Sequence, residues 1–157
     1  MIVGGCMISV ILVPSDGSKT AEKAAEYAVE LAKQLKASII ALSVMDKRSF
    51  LSQPVPASET ARHTIEPIED YLREAAKGYA GEIEKLCNKN GVESTISIKM
   101  GHPVEEIVKE AKRSKVNLIV MGSRGRSALS ATVLGSVSYG VIHNDKSKSI
   151  PILIVRG

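Results

Sequence analysis

The chain contains very few aromatic side chains: its 157 residues include one Phe, four Tyr and no Trp. Proteins that bind single-stranded nucleic acids stack bases on aromatic side chains, so this composition argues against that class. Excess positive charge is also small. The formal net charge is +4, and lysine and arginine are interspersed with acidic residues. A DNA-binding surface needs clustered basic residues, and we therefore expect no nucleic-acid partner.

Cysteine and histidine are equally scarce. The two cysteines, Cys6 and Cys87, do not make a disulfide framework and lack the paired spacing of a zinc site. Cys87 is interpreted as a small buried residue of a helix. The histidines show neither metal-ligand spacing nor a neighbouring nucleophile motif; they are His63, His102 and His143. We predict no metal site built from these side chains.

Long apolar runs are missing as well. The N-terminal stretch up to Pro14 and the uncharged stretch from Ala128 to Asn144 are shorter than the roughly 20 residues that a membrane-spanning helix needs. The first also lacks the basic residues that begin a secretory signal. We expect no membrane partner and a cytoplasmic location. Residues 1–7 are interpreted as an N-terminal extension, with Met7 as an alternative start because Ile8 begins the first predicted strand.

What the chain does have is a regular alternation of strand and helix patterns. Strands are predicted at Ile8 to Val13, Ser38 to Val44, Val92 to Met100, Leu118 to Met121 and Ile152 to Val155. Helices are predicted after Ser18, from Ile65 to Asn90, from Pro103 and from Ser136 to about His143, with a loop at residues 46–64. Such alternation indicates a parallel sheet with helices on both faces. We predict one α/β domain over residues 1–157, with a doubly wound five-stranded parallel sheet.

The most informative segment follows the fourth predicted strand and contains Gly122, Gly125, Gly135 and Ser136. Glycine lets the main chain approach an anion closely, and the helix that follows attracts negative charge at its N-terminus. The chain has no Gly-Lys pair, which the Walker A loop requires, and no Gly-x-Gly-x-x-Gly dinucleotide pattern. The sequence therefore predicts a phosphate-binding loop of another kind.

A second unusual segment, Pro14 to Gly17, follows the first strand. Ligands of doubly wound sheets bind beyond the carboxyl ends of the strands, where the strand order reverses. A strand order of 3-2-1-4-5 would place this segment beside the glycine loop. Periodicity does not fix that order, but the coincidence of two such segments favours it. Asp16 then has two interpretations of equal weight: a turn or cap residue, or an acceptor for a ribose hydroxyl or an adenine amino group.

Several polar side chains near the loop also have two interpretations. Arg124 and Arg126 are candidates for phosphate contacts, and solvated surface positions are at least as common for arginine. Ser136 is a candidate for capping its helix, for touching a phosphate, or for both. The remaining hydroxyls are expected to make local hydrogen bonds; they are Ser130, Thr132 and Ser138.

Together these residues resemble a known family. The pattern Gly-x2-Gly-x9-Gly-Ser is similar to the nucleotide loop of the ATP-binding branch of the universal stress protein family. The first strand with its Asp, the fourth strand with its glycines, and the last strand also resemble that family, at Ile11 to Ser18, Ile119 to Arg126 and Pro151 to Val155. The resemblance covers Ile8 to Gly157. Val116-Asn117 departs from the frequent Ala-Asp of the family and is interpreted as structural.

The resemblance implies a fold like that of the adenine nucleotide alpha hydrolases and a site for ATP, together with Mg²⁺. It implies that Asp16 and the main chain near Val44 hold adenine and ribose, and that Pro14 and Ser15 line the base pocket. It also implies that Gly122, Gly125, Gly135, Ser136 and Val137 cradle the phosphates. Met121 and Arg124 complete the set of predicted binding residues. No catalytic residue is predicted.

The resemblance also implies a homodimer in which Ile152 to Val155 pairs with the same strand of a partner; coverage of that edge by the chain's own helix is the alternative.

The predicted function is that of an ATP-binding regulatory protein of the stress response. Two alternatives stay open. One is an ATP-dependent enzyme with slow hydrolysis or self-phosphorylation, although its usual His-x-Gly-His or Ser-Gly-Gly-x-Asp loops are missing. The other is a nucleotide-independent interaction dimer.

Overall fold

The structure, a computed structural model, describes residues 7–48, 65–126 and 134–157. Most of the predicted N-terminal extension, and Cys6 with it, lies outside these residues. So do residues 49–64 of the predicted loop, which include His63; Lys47 and Arg48 before them are helical. The predicted hydroxyl candidates Ser130 and Thr132 also fall outside the described part.

Strands and helices alternate along the described residues. The strands are β1 (Val10–Pro14), β2 (Ser38–Met45), β3 (Ser94–Met100), β4 (Leu118–Gly122) and β5 (Ile152–Val155). The helices are α1 (Lys19–Leu35), α2 (Ile65–Asn90), α3 (Pro103–Arg113) and α4 (Ser136–His143), and a 3₁₀ turn at Asp145–Ser147 precedes β5. None of the described helices is long and apolar enough to cross a lipid bilayer.

The five strands form one sheet in the order β3-β2-β1-β4-β5, and every pairing is parallel. This confirms the predicted doubly wound sheet and its order. The chain leaves β1 toward β2 on one side, and β4 later pairs on the other side of β1. The strand order therefore reverses between β1 and β4, and a crevice opens at the carboxyl ends of these two strands.

Helices cover both faces of the sheet because side chains alternate along each strand. Ile11 and Val13 of β1 belong to a core shared with α1 and α2, whereas Leu12 belongs to a second core shared with α3 and α4. The side of α1 that faces the sheet consists largely of alanine: Ala21, Ala24, Ala25, Ala28 and Ala32 are buried. Side chains this small let the helix lie close to the strands.

Two strand starts differ from the prediction, each for a local reason. β1 begins at Val10 rather than Ile8, because the Asn117 Oδ1 atom accepts hydrogen bonds from the main-chain N–H groups of Ser9 and Val10, at 2.9 and 3.0 Å. Asn117 thus has a structural role. β3 begins at Ser94 rather than Val92, because the Val92 N–H donates to the Cys87 carbonyl at the end of α2.

Candidate functional site

The segments that follow β1 and β4 meet in the crevice at the strand-order reversal. The Asp16 Oδ2 atom accepts a hydrogen bond from the main-chain N–H of Arg126 at 3.0 Å. A Cβ atom added to Gly125 would lie 2.8 Å from the same oxygen. The acidic turn and the glycine loop, 110 residues apart in sequence, are therefore in direct contact.

Asp16 is both a turn residue and a bridge. Its Oδ1 atom accepts from the Ser18 N–H at 3.0 Å, and Ser18 caps α1 by accepting from the Ala21 N–H at 3.2 Å. A carboxylate offers about four lone-pair positions, and these main-chain donors use two of them. The half-buried Asp16 side chain therefore keeps acceptor capacity for a hydroxyl or amino group of a ligand.

The glycines of the loop are required where main chain packs on main chain. A Cβ atom on Gly122 would lie 2.8 Å from the Thr20 carbonyl carbon, and one on Gly135 would lie 3.0 Å from the Arg124 Cα. The Thr20 hydroxyl also donates to the Arg124 carbonyl, which binds the loop to the start of α1. The fold itself thus demands two of these glycines, while Gly125 approaches the carboxylate that follows β1.

The N-terminus of α4 points its first N–H groups to the same region. Gly135 is the N-cap residue, with no side-chain cap, and Ser136 is the first helical residue. The idea that Ser136 caps the helix is therefore wrong. An α-helix leaves the N–H groups of its first turn without intrahelical partners, here those of Ser136, Val137 and Ser138. Because the Gly135 N–H donates to the Ser123 carbonyl at 2.7 Å, this turn is held next to the end of β4.

Ser138 fixes α4 to the strand from inside. Its Oγ donates to the Gly122 carbonyl at 2.7 Å, and the residue is 3% exposed. The hydroxyl thus makes a structural hydrogen bond across the loop and is not available to a ligand.

The other end of the crevice is formed by β2, which extends beyond β1. The Ser15 N–H donates to the Leu42 carbonyl, whereas the Met45 carbonyl accepts from Gly101 on the β3 side. Even-numbered residues of this part of β2 therefore turn their main-chain groups toward β1. The last β1 pair is Pro14 with Leu42, so Val44 is the next residue in this set and has no β1 residue opposite it.

Two of the predicted residues have buried side chains. Met121 is 4% exposed and packs in the core with α3 and α4, and its pairing with Ile154 places its main chain beside β5. The Pro14 ring is buried at the end of β1. Among the remaining predicted residues, Val137 packs against the second core and Ser136 is exposed.

The relatives of this chain identify its family. The model of the universal stress protein family matches residues 7–156. The chain belongs to the universal stress protein family. Universal stress protein MJ0577 of Methanocaldococcus jannaschii is 35% identical over 96% of this chain and 96% of its own length, and universal stress protein YxiE of Bacillus subtilis is 34% identical over 96% and 100%.

Solved structures of the universal stress protein family share the fold. The structure of MJ0577 superposes with a TM-score of 0.74, covers 96% of this chain and 97% of its own, and is 34% identical. A universal stress protein from Archaeoglobus fulgidus, solved in complex with dAMP, has a TM-score of 0.62 over 96% of this chain and 99% of its own. At 22% identity, the second likeness is one of fold.

Sequence reasoning missed two contributors to this universal stress protein site. Thr20 holds the Arg124 carbonyl, and Tyr79 of α2 accepts a hydrogen bond from Arg126 Nη1 at 2.6 Å. The sequence indicates only that Tyr79 lies on the apolar stripe of a helix. Tyr79 and Arg126 are 47 residues apart, and no local pattern connects them. Arg126, a candidate for phosphate contact, directs its guanidinium to α2 instead.

A second polar cluster lies away from the site, between α3 and β3. Glu110 is 2% exposed and receives hydrogen bonds from Arg113 and from the Ser114 hydroxyl, the latter at 2.8 Å; Lys99 Nζ lies 3.4 Å from its Oε2. Burial by itself would raise the pKa of Glu110, but the bonds from Arg113 and Ser114 and the Lys99 charge together lower it.

Burial raises the pKa of the Cys87 thiol, as expected for a structural cysteine. Among the described residues, no group of three or more His, Cys, Asp or Glu side chains could hold a metal ion.

Proposed function

We propose that this chain is a regulatory nucleotide-binding protein of the cytoplasmic stress response that binds ATP between β1 and β4. One observation carries the proposal: the Asp16 carboxylate, the glycine loop and the first turn of α4 lie together at the reversal of strand order. Open α/β sheets bind ligands in such a crevice. Residues 1–157 act as one domain in this proposal.

The phosphate end of the proposed site is the first turn of α4. Main-chain N–H groups at a helix N-terminus attract phosphate oxygens through their partial positive charge. The exposed Ser136 adds a hydroxyl donor at the same turn. Arg124 is half-buried, its Cα packs against Gly135 at the start of α4, and it is the arginine proposed to meet phosphate.

The base and ribose end is formed by Asp16 and β2. Asp16 keeps acceptor positions for the ribose hydroxyls, and the main chain of Val44 faces the space beyond the end of β1. One N–H and one C=O on the same edge of a strand match the donor and acceptor pair on the edge of adenine. The dAMP complex of a protein with the same fold supports an adenine nucleotide as the ligand. Mg²⁺ would enter with the triphosphate and neutralise part of its charge.

We further propose a homodimer through β5. This strand is at one end of the described sheet, and Ile152, Leu153, Ile154 and Val155 are all only half-buried. An apolar edge strand that is left bare favours pairing with another chain. Pairing of two β5 strands would satisfy their main-chain groups and cover these side chains.

Calorimetric titration of the purified protein with ATP, AMP and GTP tests the proposed function. Gly125→Ala places a Cβ 2.8 Å from the Asp16 oxygen and should weaken ATP binding about tenfold or more, because the crevice must open to relieve the contact. Gly81→Ala is the matched control: a Cβ there meets nothing within 4 Å. If neither ATP nor AMP at millimolar concentration binds the parent protein, as judged by calorimetry at two temperatures, the proposal is wrong. Equal affinity for GTP would remove adenine as the recognised base.

A further inference from the structure

Tyr79 connects α2 to the candidate nucleotide site through two different contacts. Gly17 has a φ of +76°, and a Cβ atom added to it would lie 2.3 Å from Tyr79 Cε1. The tyrosine ring therefore packs directly on the turn that carries Asp16. From the other side, Arg126 Nη1 donates to the Tyr79 hydroxyl at 2.6 Å, and the guanidinium carbon lies 5.7 Å from the ring centroid.

These contacts close a ring of interactions around the carboxylate. Arg126 donates its main-chain N–H to Asp16 Oδ2 at 3.0 Å and its side chain to the hydroxyl of the tyrosine that packs under the same turn. Arg126 is exposed, and a free arginine loses considerable rotamer entropy when it is ordered. A partner of defined position for the guanidinium therefore also limits the positions open to the Arg126 main chain.

We propose that Tyr79 is a positioning residue of the nucleotide site: through Arg126, it holds the near end of the glycine loop against Asp16 before the nucleotide arrives. The inference rests on the proposed function and goes beyond it by assigning α2 a part in ligand affinity. A site that is already formed does not lose further conformational entropy on binding, and its affinity is correspondingly higher.

This role differs from that of a phosphate ligand in a measurable way. A guanidinium that touched the phosphates would add more affinity as phosphates are added from adenosine to AMP to ATP. A guanidinium held by Tyr79 acts on the carboxylate that faces the ribose, which all three ligands share. Loss of the contact between Arg126 and Tyr79 should therefore lower the affinities for adenosine and for ATP by the same factor.

The test uses Tyr79→Phe, Arg126→Ala and the double variant, with Tyr27→Phe on the exposed face of α1 as the matched control; Tyr27 is 54% exposed. Phenylalanine keeps the ring under Gly17 and removes only the hydroxyl. Tyr79→Phe should lower the affinities for adenosine and for ATP by the same factor, about three- to tenfold. In the Arg126→Ala background, Tyr79→Phe should lower these affinities by less than about a further twofold, because the two residues act as one unit.

Hydrogen exchange in the nucleotide-free protein gives a readout that does not depend on the proposed function. The Arg126 amide, which donates to Asp16, should exchange about three- to tenfold faster in Tyr79→Phe and at the parent rate in Tyr27→Phe. An unchanged exchange rate overturns the inference even where ATP binds the parent protein tightly. So does an effect of Tyr79→Phe that persists without Arg126, or one that grows with the number of phosphates.

If the parent protein binds neither adenosine nor ATP, the proposed function fails. Faster exchange in Tyr79→Phe would in that case identify the contact as a structural brace, and the role in ligand affinity would be overturned with it. Faster exchange together with an equal loss of affinity for adenosine and ATP supports the inference in full.

Discussion

The two polar clusters of this protein, around Asp16 and around Glu110, use a carboxylate in opposite ways. Glu110 is 2% exposed and its hydrogen-bond donors are side chains: Arg113, Ser114 and Lys99 surround it. Asp16 is half-buried, and its donors are the main-chain N–H groups of Ser18 and Arg126. One carboxylate is enclosed by charged partners of its own chain, and the other faces an open crevice.

Under the proposed function, a shifted pKa marks the structural cluster and not the ligand site. Glu110 has its pKa lowered by charged partners that already satisfy it, as structural ion-pair networks do. Asp16 is placed by the main chain at the reversal of strand order and keeps acceptor positions. Asp16 has acceptor positions left for hydrogen bonds from a ligand, because only two main-chain donors use them. Glu110 has few left, because side chains of its own chain already donate to it.

The largest expected effect is on stability, from Glu110→Ala. The substitution removes the charge-assisted bonds from Arg113 and Ser114 and leaves a cavity under α3, so the free energy of unfolding should fall by about 2 kcal/mol. Urea denaturation followed by circular dichroism measures this change. Nucleotide affinity should stay within about twofold of the parent value, and a tenfold loss of affinity would break the contrast between the two clusters.

Asp16→Asn should show the reverse pattern. The amide keeps the size of the side chain and one acceptor oxygen, but loses the charge that strengthens a bond from a ribose hydroxyl and one of the two main-chain bonds that Asp16 accepts. We expect adenine-nucleotide affinity to fall about tenfold, or about 1.4 kcal/mol, while the free energy of unfolding changes by less than about 1 kcal/mol. Calorimetry and urea denaturation of the same sample measure both quantities. A large loss of stability with intact affinity would assign Asp16 a structural role only.

The smallest effect is the acid dependence of stability that Glu110 contributes. Its pKa in the folded protein lies below the ordinary value of 4.5, so the unfolded chain binds the proton first. The stabilisation is fully present above pH 4.5 and is lost as the pH falls through the folded value. Glu110→Gln lacks this contribution, and the stability difference between the parent and Glu110→Gln should therefore narrow toward acid pH. Denaturation curves at a series of pH values check it; a constant difference would contradict the assignment.

Much of the fold could be predicted from the sequence because the strands and helices differ in period. The alternation of elements, the helix ends at Asn90 and His143, and the strand Ile152–Val155 were all predicted correctly. Strand starts were predicted less accurately. The start of β1 depends on a hydrogen bond from Val10 to Asn117, which is distant along the chain. The start of β3 depends on a hydrogen bond from Val92 to Cys87 in the preceding helix.

The candidate site was predictable where glycine and Asp follow strands, and not where side chains meet across the fold. Nothing near Tyr79 in the sequence indicates a contact with Arg126, and nothing near Ser138 indicates a bond to the Gly122 carbonyl. The main-chain position of Val44 depends on how far β2 extends past β1, which is a matter of register.

By itself, the sequence determined the strand and helix periodicities and the parallel sheet. It also determined which two strands are followed by unusual segments: Asp16 comes after β1, and the glycine loop comes after β4. These follow from local physics: the spacing of apolar residues and the conformational freedom of glycine. Only the tertiary structure decided that Asp16 meets the glycine loop, that Arg126 turns to α2, and that Glu110 is enclosed. Each of these depends on distances between segments far apart in the chain, which packing sets and local sequence does not encode.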